Sequence, residues 1–397
     1  MRSKRNLYIG ATFLALLVAL GVGSSLLERR AVAAAASAVE APRFEVDPFW
    51  PKPLPNHWRL GSSIGVSVDP EDHVWIIHRP DSLQAKEKYA LQSPPAASCC
   101  FPAPPVLQFD QQGNLTGHWG GPGEGYEWPQ SNHGITADYK GNIWIGANGR
   151  EDSHVLKFGQ AGKFLMQIGR AKMNGGSADT ANLKGPAKTF VDPATNELYV
   201  ADGYGNKRVI VYDADTGQYK RHWGAYGNKP DDTDLGPYDP DAPVAQQFRN
   251  PVHCAELSKD NFLYVCDRPN DRIQVFKKDG TFVKEAFIAR RTLGDGSVWD
   301  IAFSRDPEQK YIYLADGANE KVYIILRETL EILTSFGDGG RQPGQFYAVH
   351  SIATDSKGNI YTTETYEGKR VQKFVYKGLA PVTSKDQGTV WPRSTVK

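Results

Sequence analysis

His133-Gly-Ile-Thr-Ala-Asp138-Tyr-Lys-Gly-Asn142-Ile-Trp-Ile-Gly-Ala-Asn148 is a strand, a tight turn and a returning strand. Apolar and polar residues alternate on both sides of the polar Asp138 to Asn142 segment, and Lys140-Gly141-Asn142 carries turn chemistry, so the period is two and the unit is antiparallel. The unit recurs. Five further copies begin at Ile64 (IGVSVDPEDHVWIIHR), Ala187 (AKTFVDPATNELYVADGYGNKRVIVYD), His253 (HCAELSKDNFLYVCDRPNDRIQVF), Trp299 (WDIAFSRDPEQKYIYLADGANEKVYII) and His350 (HSIATDSKGNIYTTETYEGKRVQKF), 46 to 69 residues apart. That spacing is the period of propeller blades with insertions between them. A fourth strand follows most copies, as in Gly113–Gly120, Gly162–Gly169 and Gly217–Gly224. The expected fold is therefore an all-β six-bladed β-propeller of four-stranded antiparallel blades.

The last copy ends at Val375-Tyr376-Lys377 without a fourth strand. Arg43-Phe44-Glu45-Val46 alternates and stands before the first copy, so it is expected to close the ring and leave no open sheet edge. The organisation read from the chain is a leader over 1–38, an N-terminal segment with this closing strand over 39–60, the propeller over 61–378 and a C-terminal tail over 379–397.

Composition fits one soluble globular domain, with 40% hydrophobic and 23% charged residues. A net charge of +1 provides no electrostatic footprint for nucleic acid. The N-terminus differs from the rest. Arg2, Lys4 and Arg5 precede an apolar run from Leu7 to Leu27, and Ala36-Ser37-Ala38 offers a small-residue cleavage site. This reads as an export signal or an N-terminal membrane anchor, the anchor being the only membrane contact expected, and places the chain in the periplasm or outside the cell. Export permits disulfides. Cys254 and Cys266 fall at the start of one strand and the end of the next, as neighbours positioned to bridge, whereas Cys99-Cys100 is an adjacent pair in a Pro-rich loop between Ser93 and Pro105.

Three of the nine histidines, His133, His253 and His350, occupy one column of the repeat in copies two, four and six. Alternate blades stand about a third of a turn apart, so three imidazoles converge on the axis, a ligand set for zinc with one open position. The start of each first strand and the end of each second share a rim. Arg79, Arg268 and Tyr204 follow second strands and join the histidines at one mouth. Arginine matches a carboxylate bidentately, and tyrosine beside a cation and a metal can take a proton, so the expected substrate is a small molecule or peptide bearing a carboxylate. Arg208, Arg272 and Arg370, in a recurring turn before the third strand, read as structural, as do Asp202, Asp267 and Asp316. His57, His73, His118, His154 and His222 read as solvated or structural.

The motifs IIHRPD (76–81), NHGITAD (132–138), VADGYGNKRV (200–209), NPVHCAEL (250–257), CDRPNDRIQVF (266–276) and AVHSIATD (348–355) resemble those of the peptidyl-α-hydroxyglycine α-amidating lyases, which are six-bladed propellers of the NHL-repeat type. The resemblance spans about residues 60 to 377. It implies zinc on His133, His253 and His350, Tyr204 as general base, and Arg79 and Arg268 binding the substrate of a carbon–nitrogen lyase that yields an amide and glyoxylate. It also implies a channel calcium held by an acidic residue directly after the third histidine. Ser351 stands there, which weighs against calcium and leaves main-chain carbonyls near Val66 and Ile135 as its remaining ligands. The family's two disulfides have no counterpart, because Lys184, Gly205, Tyr264 and Val275 occupy those places. Two alternatives stand beside the lyase reading. One is a non-catalytic NHL-type binding propeller with a structural metal. The other is a propeller hydrolase of the lactonase or esterase kind, whose usual calcium-binding Glu, Asp and Asn are not found at these repeat starts.

Overall fold

The computed structural model describes residue 20 and residues 39–392. The leader over 1–38 lies outside the described residues apart from residue 20, and so do residues 393–397. Among the described residues no helix is long and apolar enough to cross a membrane.

Each repeat copy folds as one four-stranded antiparallel sheet. Blade one comprises Ser62–Val68, Val74–Arg79, Val106–Phe109 and Leu115–Trp119. Blade two comprises Asn132–Ala137, Asn142–Ala147, His154–Gly159 and Phe164–Gly169, and blade three Pro186–Asp192, Glu197–Asp202, Arg208–Asp213 and Tyr219–Trp223. Blade four comprises Val252–Leu257, Phe262–Asp267, Arg272–Lys277 and Phe282–Phe287, and blade five Asp300–Phe303, Tyr311–Asp316, Lys321–Leu326 and Glu331–Phe336. Blade six takes Val349–Thr354, Ile360–Glu364 and Arg370–Pro381 from the C-terminal end and Glu40–Asp47 from the N-terminal end. First strands of successive blades lie side by side and return from blade six to blade one, so they line a closed central channel.

The turn after the first strand is built the same way in three blades. The Asp138 carboxylate accepts hydrogen bonds from the amides of Lys140 and Asn142 and from the Trp144 indole at 3.0 Å. Asp69 does this for Glu71, His73 and Trp75, and Asp355 for Lys357, Asn359 and the Tyr361 hydroxyl. The turn needs a left-handed residue in its fourth place. Gly141 (φ +79°) and Gly358 (φ +83°) supply it without strain, and Asp72 takes it at φ +64°.

Apolar side chains pack between blades. Ile64, Trp75 and Ile77 of blade one meet Ile135, Ile143, Ile145 and Phe158 of blade two, and each of the other five junctions has a comparable cluster. Ring closure uses both ends of the described chain. Phe44 pairs with Tyr376 in register and packs edge-on against Tyr313 of blade five at 5.3 Å. Residues 379–381 continue the last strand, and beyond it Lys385, Gln387 and Gly388 hydrogen-bond with Ser335 and Gly337 at the outer edge of blade five. The segment after the propeller is thus packed on it as far as Val390, which is 8% exposed.

Candidate metal centre

His133, His253 and His350 lie at the starts of the first strands of blades two, four and six, and one ligand nitrogen from each lies within 4.8 Å of the other two. Their rings stand 4.8 to 5.0 Å apart at steep angles. A single rule orients all three. Each Nδ1 faces a main-chain carbonyl of the next blade: Ala187 for His133 (2.8 Å), Trp299 for His253 (2.5 Å) and Ile64 for His350 (2.6 Å). A carbonyl can only accept, so Nδ1 carries the proton and Nε2 keeps its lone pair for the axis. Burial first, and then the positive charge of neighbouring guanidiniums and imidazoles, holds all three well below the usual imidazole range. They are neutral at pH 7, the form that ligates a metal.

Tyr204 follows the second strand of blade three and puts its Oη 2.9 Å from His133 Nε2 and 3.0 Å from His253 Nε2. A phenol has one proton and both nitrogens are acceptors, so only one of these contacts can be a hydrogen bond. The other sets lone pair against lone pair, an arrangement that a cation among the three atoms would relieve. The donor set and this mismatch both fit a metal with three imidazole ligands and an open position beside Tyr204.

Arg268 opens the loop after the second strand of blade four. Its Nη1 donates to Tyr204 Oη at 3.3 Å and its Nη2 meets Asp295 at 3.4 Å, while its buried Nε has no hydrogen-bond partner among the described residues. The guanidinium lies over the Trp299 ring at 4.5 Å, so it is held mostly by stacking and retains hydrogen-bonding capacity. Arg79, at the matching place in the facing blade, is engaged differently. Its Nε donates to the Asn132 carbonyl at 3.0 Å and its Nη2 to Asn148 Oδ1 at 2.7 Å, both in blade two. Its charge still bears on the centre, because it helps to lower His133 and His350.

Sequence reasoning missed several neighbours. Trp299 stands edge-on to His350 at 5.4 Å and carries Arg268 on its face, so it forms part of the wall. Just below, Lys188 Nζ lies 2.8 and 2.9 Å from the two oxygens of Asp300 and 2.8 Å from Glu256 Oε1. Ser351, expected in an acidic residue's place, donates to Asp300 Oδ2 at 2.7 Å. The signal was there to find: Lys188, Glu256 and Asp300 are charged residues within first strands, which line the channel and are otherwise mostly apolar.

Arg208 and Arg272 are buried against Asp202 (2.8 Å) and Asp267 (2.6 Å), and Arg370 binds Glu364 at 2.8 Å. The second oxygens of Asp202 and Asp267 accept from the amides of Lys184 and Arg249, which ties each blade to its preceding loop. Asp316 caps the turn at Ala318 and Asn319. His73 binds Asp69, and buried His154 binds the Glu127 carbonyl. His78 meets the Pro104 carbonyl, and burial lowers it to about 4. Cys254 and Cys266 pair across their strands with sulfurs bonded, and Cys99 is bonded to Cys100. Lys184 and Gly205 share a main-chain hydrogen bond, and Tyr264 and Val275 are cross-strand partners.

No family model matches the chain. Peptidyl-glycine alpha-amidating monooxygenase B of Xenopus laevis is 28% identical over 248 residues, 61% of this chain and 26% of that protein. Peptidyl-alpha-hydroxyglycine alpha-amidating lyase 1 of Drosophila melanogaster is 24% identical over 368 residues, covering 83% of this chain and 59% of that one. NHL repeat-containing protein 3 of Mus musculus is 23% identical over 357 residues, 85% of each chain. The match thus spans about a quarter of the length of the Xenopus protein and three-fifths of the fly lyase. A solved streptogramin B lyase aligns with a TM-score of 0.49 at 14% identity, covering 84% of this chain and 98% of that one. The chain is a six-bladed propeller whose homologues include peptidyl-α-hydroxyglycine α-amidating lyases and NHL repeat-containing proteins.

Proposed function

We propose that the chain is an exported, zinc-dependent carbon–nitrogen lyase that splits the carbinolamide of an N-acyl- or peptidyl-α-hydroxyglycine into an amide and glyoxylate. The observation that carries this reading is one mouth holding three carbonyl-anchored imidazoles whose Nε2 lone pairs face the axis, a phenol shared between two of them, and a guanidinium with unspent donors. Homology to an amidating lyase over most of the chain supports it. His133, His253 and His350 would hold the zinc, whose chemistry is to acidify a bound hydroxyl.

The chain's own residues account for the rest. Arg268 holds the substrate carboxylate on the face of Trp299, and Arg79 adds positive charge from the opposite blade. Tyr204 Oη acts as the general base for the proton of the carbinol hydroxyl. The C–O bond becomes the aldehyde of glyoxylate as the C–N bond breaks, and the proton returns from Tyr204 to the departing amide nitrogen. Atoms and charge balance without a further reactant. Export, proposed from the leader, agrees with the Cys254–Cys266 disulfide.

Glyoxylate release from an N-acyl-α-hydroxyglycine tests the reaction. The zinc-loaded protein is expected to release it, and Tyr204→Phe to keep its metal while turnover falls by roughly 10²- to 10⁴-fold. A metal-loaded protein that releases none would instead support the non-catalytic propeller, a reading favoured by the 85% two-way coverage of NHL repeat-containing protein 3. Full turnover in Tyr204→Phe would remove Tyr204 from the chemistry.

A further inference from the structure

Directly below the histidine layer the channel is crossed by charge. Lys188 of blade three reaches past Glu256 of blade four to Asp300 of blade five, and Ser351 of blade six completes the group. The Lys188 and Asp300 side chains are 12% and 2% exposed. An ammonium has three N–H donors, and three carboxylate oxygens stand 2.8 to 2.9 Å from Nζ, so its bonding capacity is fully used. Asp300 is satisfied as well. Its Oδ1 also accepts from the Ile301 amide at 2.9 Å, and its Oδ2 from Ser351 Oγ and from the Ile352 amide at 3.1 Å.

Calcium would require six to eight oxygens at 2.3–2.6 Å around one point. Here the point on which the carboxylates converge holds a covalently tethered cation, which excludes a divalent ion by occupancy and by repulsion. The Ser351 hydroxyl, standing where a calcium-binding carboxylate is implied, is turned to Asp300 instead. The residues present do not fit calcium.

We infer that Lys188 is a built-in cation that takes the place of a divalent ion at the centre of the channel, so that the propeller axis binds a single metal, at the histidine layer. The first strands of blades four and six carry a member of each layer, and the lysine layer crosses the channel beneath the metal centre. A cavity of about 610 Å³ on the opposite face reaches down to Lys188 and Glu256, so ions have access to this position from solvent. The inference is independent of the lyase reading, because it concerns which ions bind.

Calcium binding to the full chain, read by calorimetry and by thermal unfolding with calcium or a calcium chelator, tests it in wild type and in Lys188→Ala. Wild type should bind no calcium and keep its Tm in chelator. Lys188→Ala, which frees Asp300, Glu256 and Ser351 Oγ for an ion, should bind about one calcium and gain about 5 °C in Tm at a concentration 100-fold above Kd. A Lys188→Ala chain that folds only with calcium would support the inference equally. Three results would overturn it: stoichiometric calcium in wild type, a folded Lys188→Ala chain that binds none, or a variant that folds under neither condition.

Discussion

The histidine layer and the lysine layer both lie on first strands that line the channel and differ in the bonding capacity each leaves over. Above, each imidazole spends its one proton on a carbonyl and presents an Nε2 lone pair to the axis, where the single phenol proton of Tyr204 can engage only one of the three. Below, the ammonium and the carboxylates consume one another. Polar groups gathered on an axis therefore do not by themselves mark an ion site. A site is marked by electron-pair donors held in place whose lone pairs converge in excess of the protons there to satisfy them.

The largest expected break in this contrast is Lys188→Met. The side chain keeps its volume and loses its charge, which leaves two carboxylates facing each other in the channel. Urea unfolding in calcium-free buffer should show a loss of roughly 3–5 kcal/mol, with metal content at the histidines unchanged. Wild-type stability in that variant would mean that the lysine layer does not hold the channel together.

The two facing arginines sharpen the contrast at smaller scale, since Arg268 has spare donors and Arg79 has spent Nε and Nη2 on blade two. Arg268→Ala is expected to raise KM for an anionic substrate by roughly 10- to 100-fold, in line with one charge-assisted hydrogen-bonded contact. Arg79→Ala should instead lower stability by about 1.5–3 kcal/mol, measured by urea unfolding. The opposite pattern would exchange their roles.

Per group and per pH unit, proton linkage gives the smallest effect. The three histidines are lowered in the folded protein, so the unfolded chain binds protons first as pH falls through about 6.5. Stability of the metal-free protein should be complete above that pH and should decline below it, by up to about 1.4 kcal/mol per pH unit for each histidine. His78, with a folded value of about 4, adds to the slope down to that pH. Urea titrations between pH 7.5 and 5 would read it, and a flat profile would mean that these imidazoles are not held neutral by the fold.

The propeller was legible because its signals are local: alternation, the Asp-x-x-Gly-Asn turn and their recurrence. The histidine column was legible because symmetry carries one repeat position to one place on the axis. Trp299 and Lys188 were not, because their roles depend on contacts between blades, Arg268 of blade four on a residue at the start of blade five and Lys188 of blade three on Asp300 of blade five. Trp299 is the one tryptophan of the histidine column and Lys188 the one lysine of the column after it, so repetition adds no weight to either. Arg79 and Arg268 looked equivalent by position, and only Asn132 and Asn148 of the adjacent blade separate them.

The central claim is that the Nε2 lone pairs of His133, His253 and His350 hold one metal ion. Elemental analysis of the purified full chain beside its His253→Ala variant tests it most directly. The expected result is about one zinc per chain in the first, almost none in the second, and no calcium in either. A wild-type chain without bound metal, or a His253→Ala chain that retains it in full, would contradict the account.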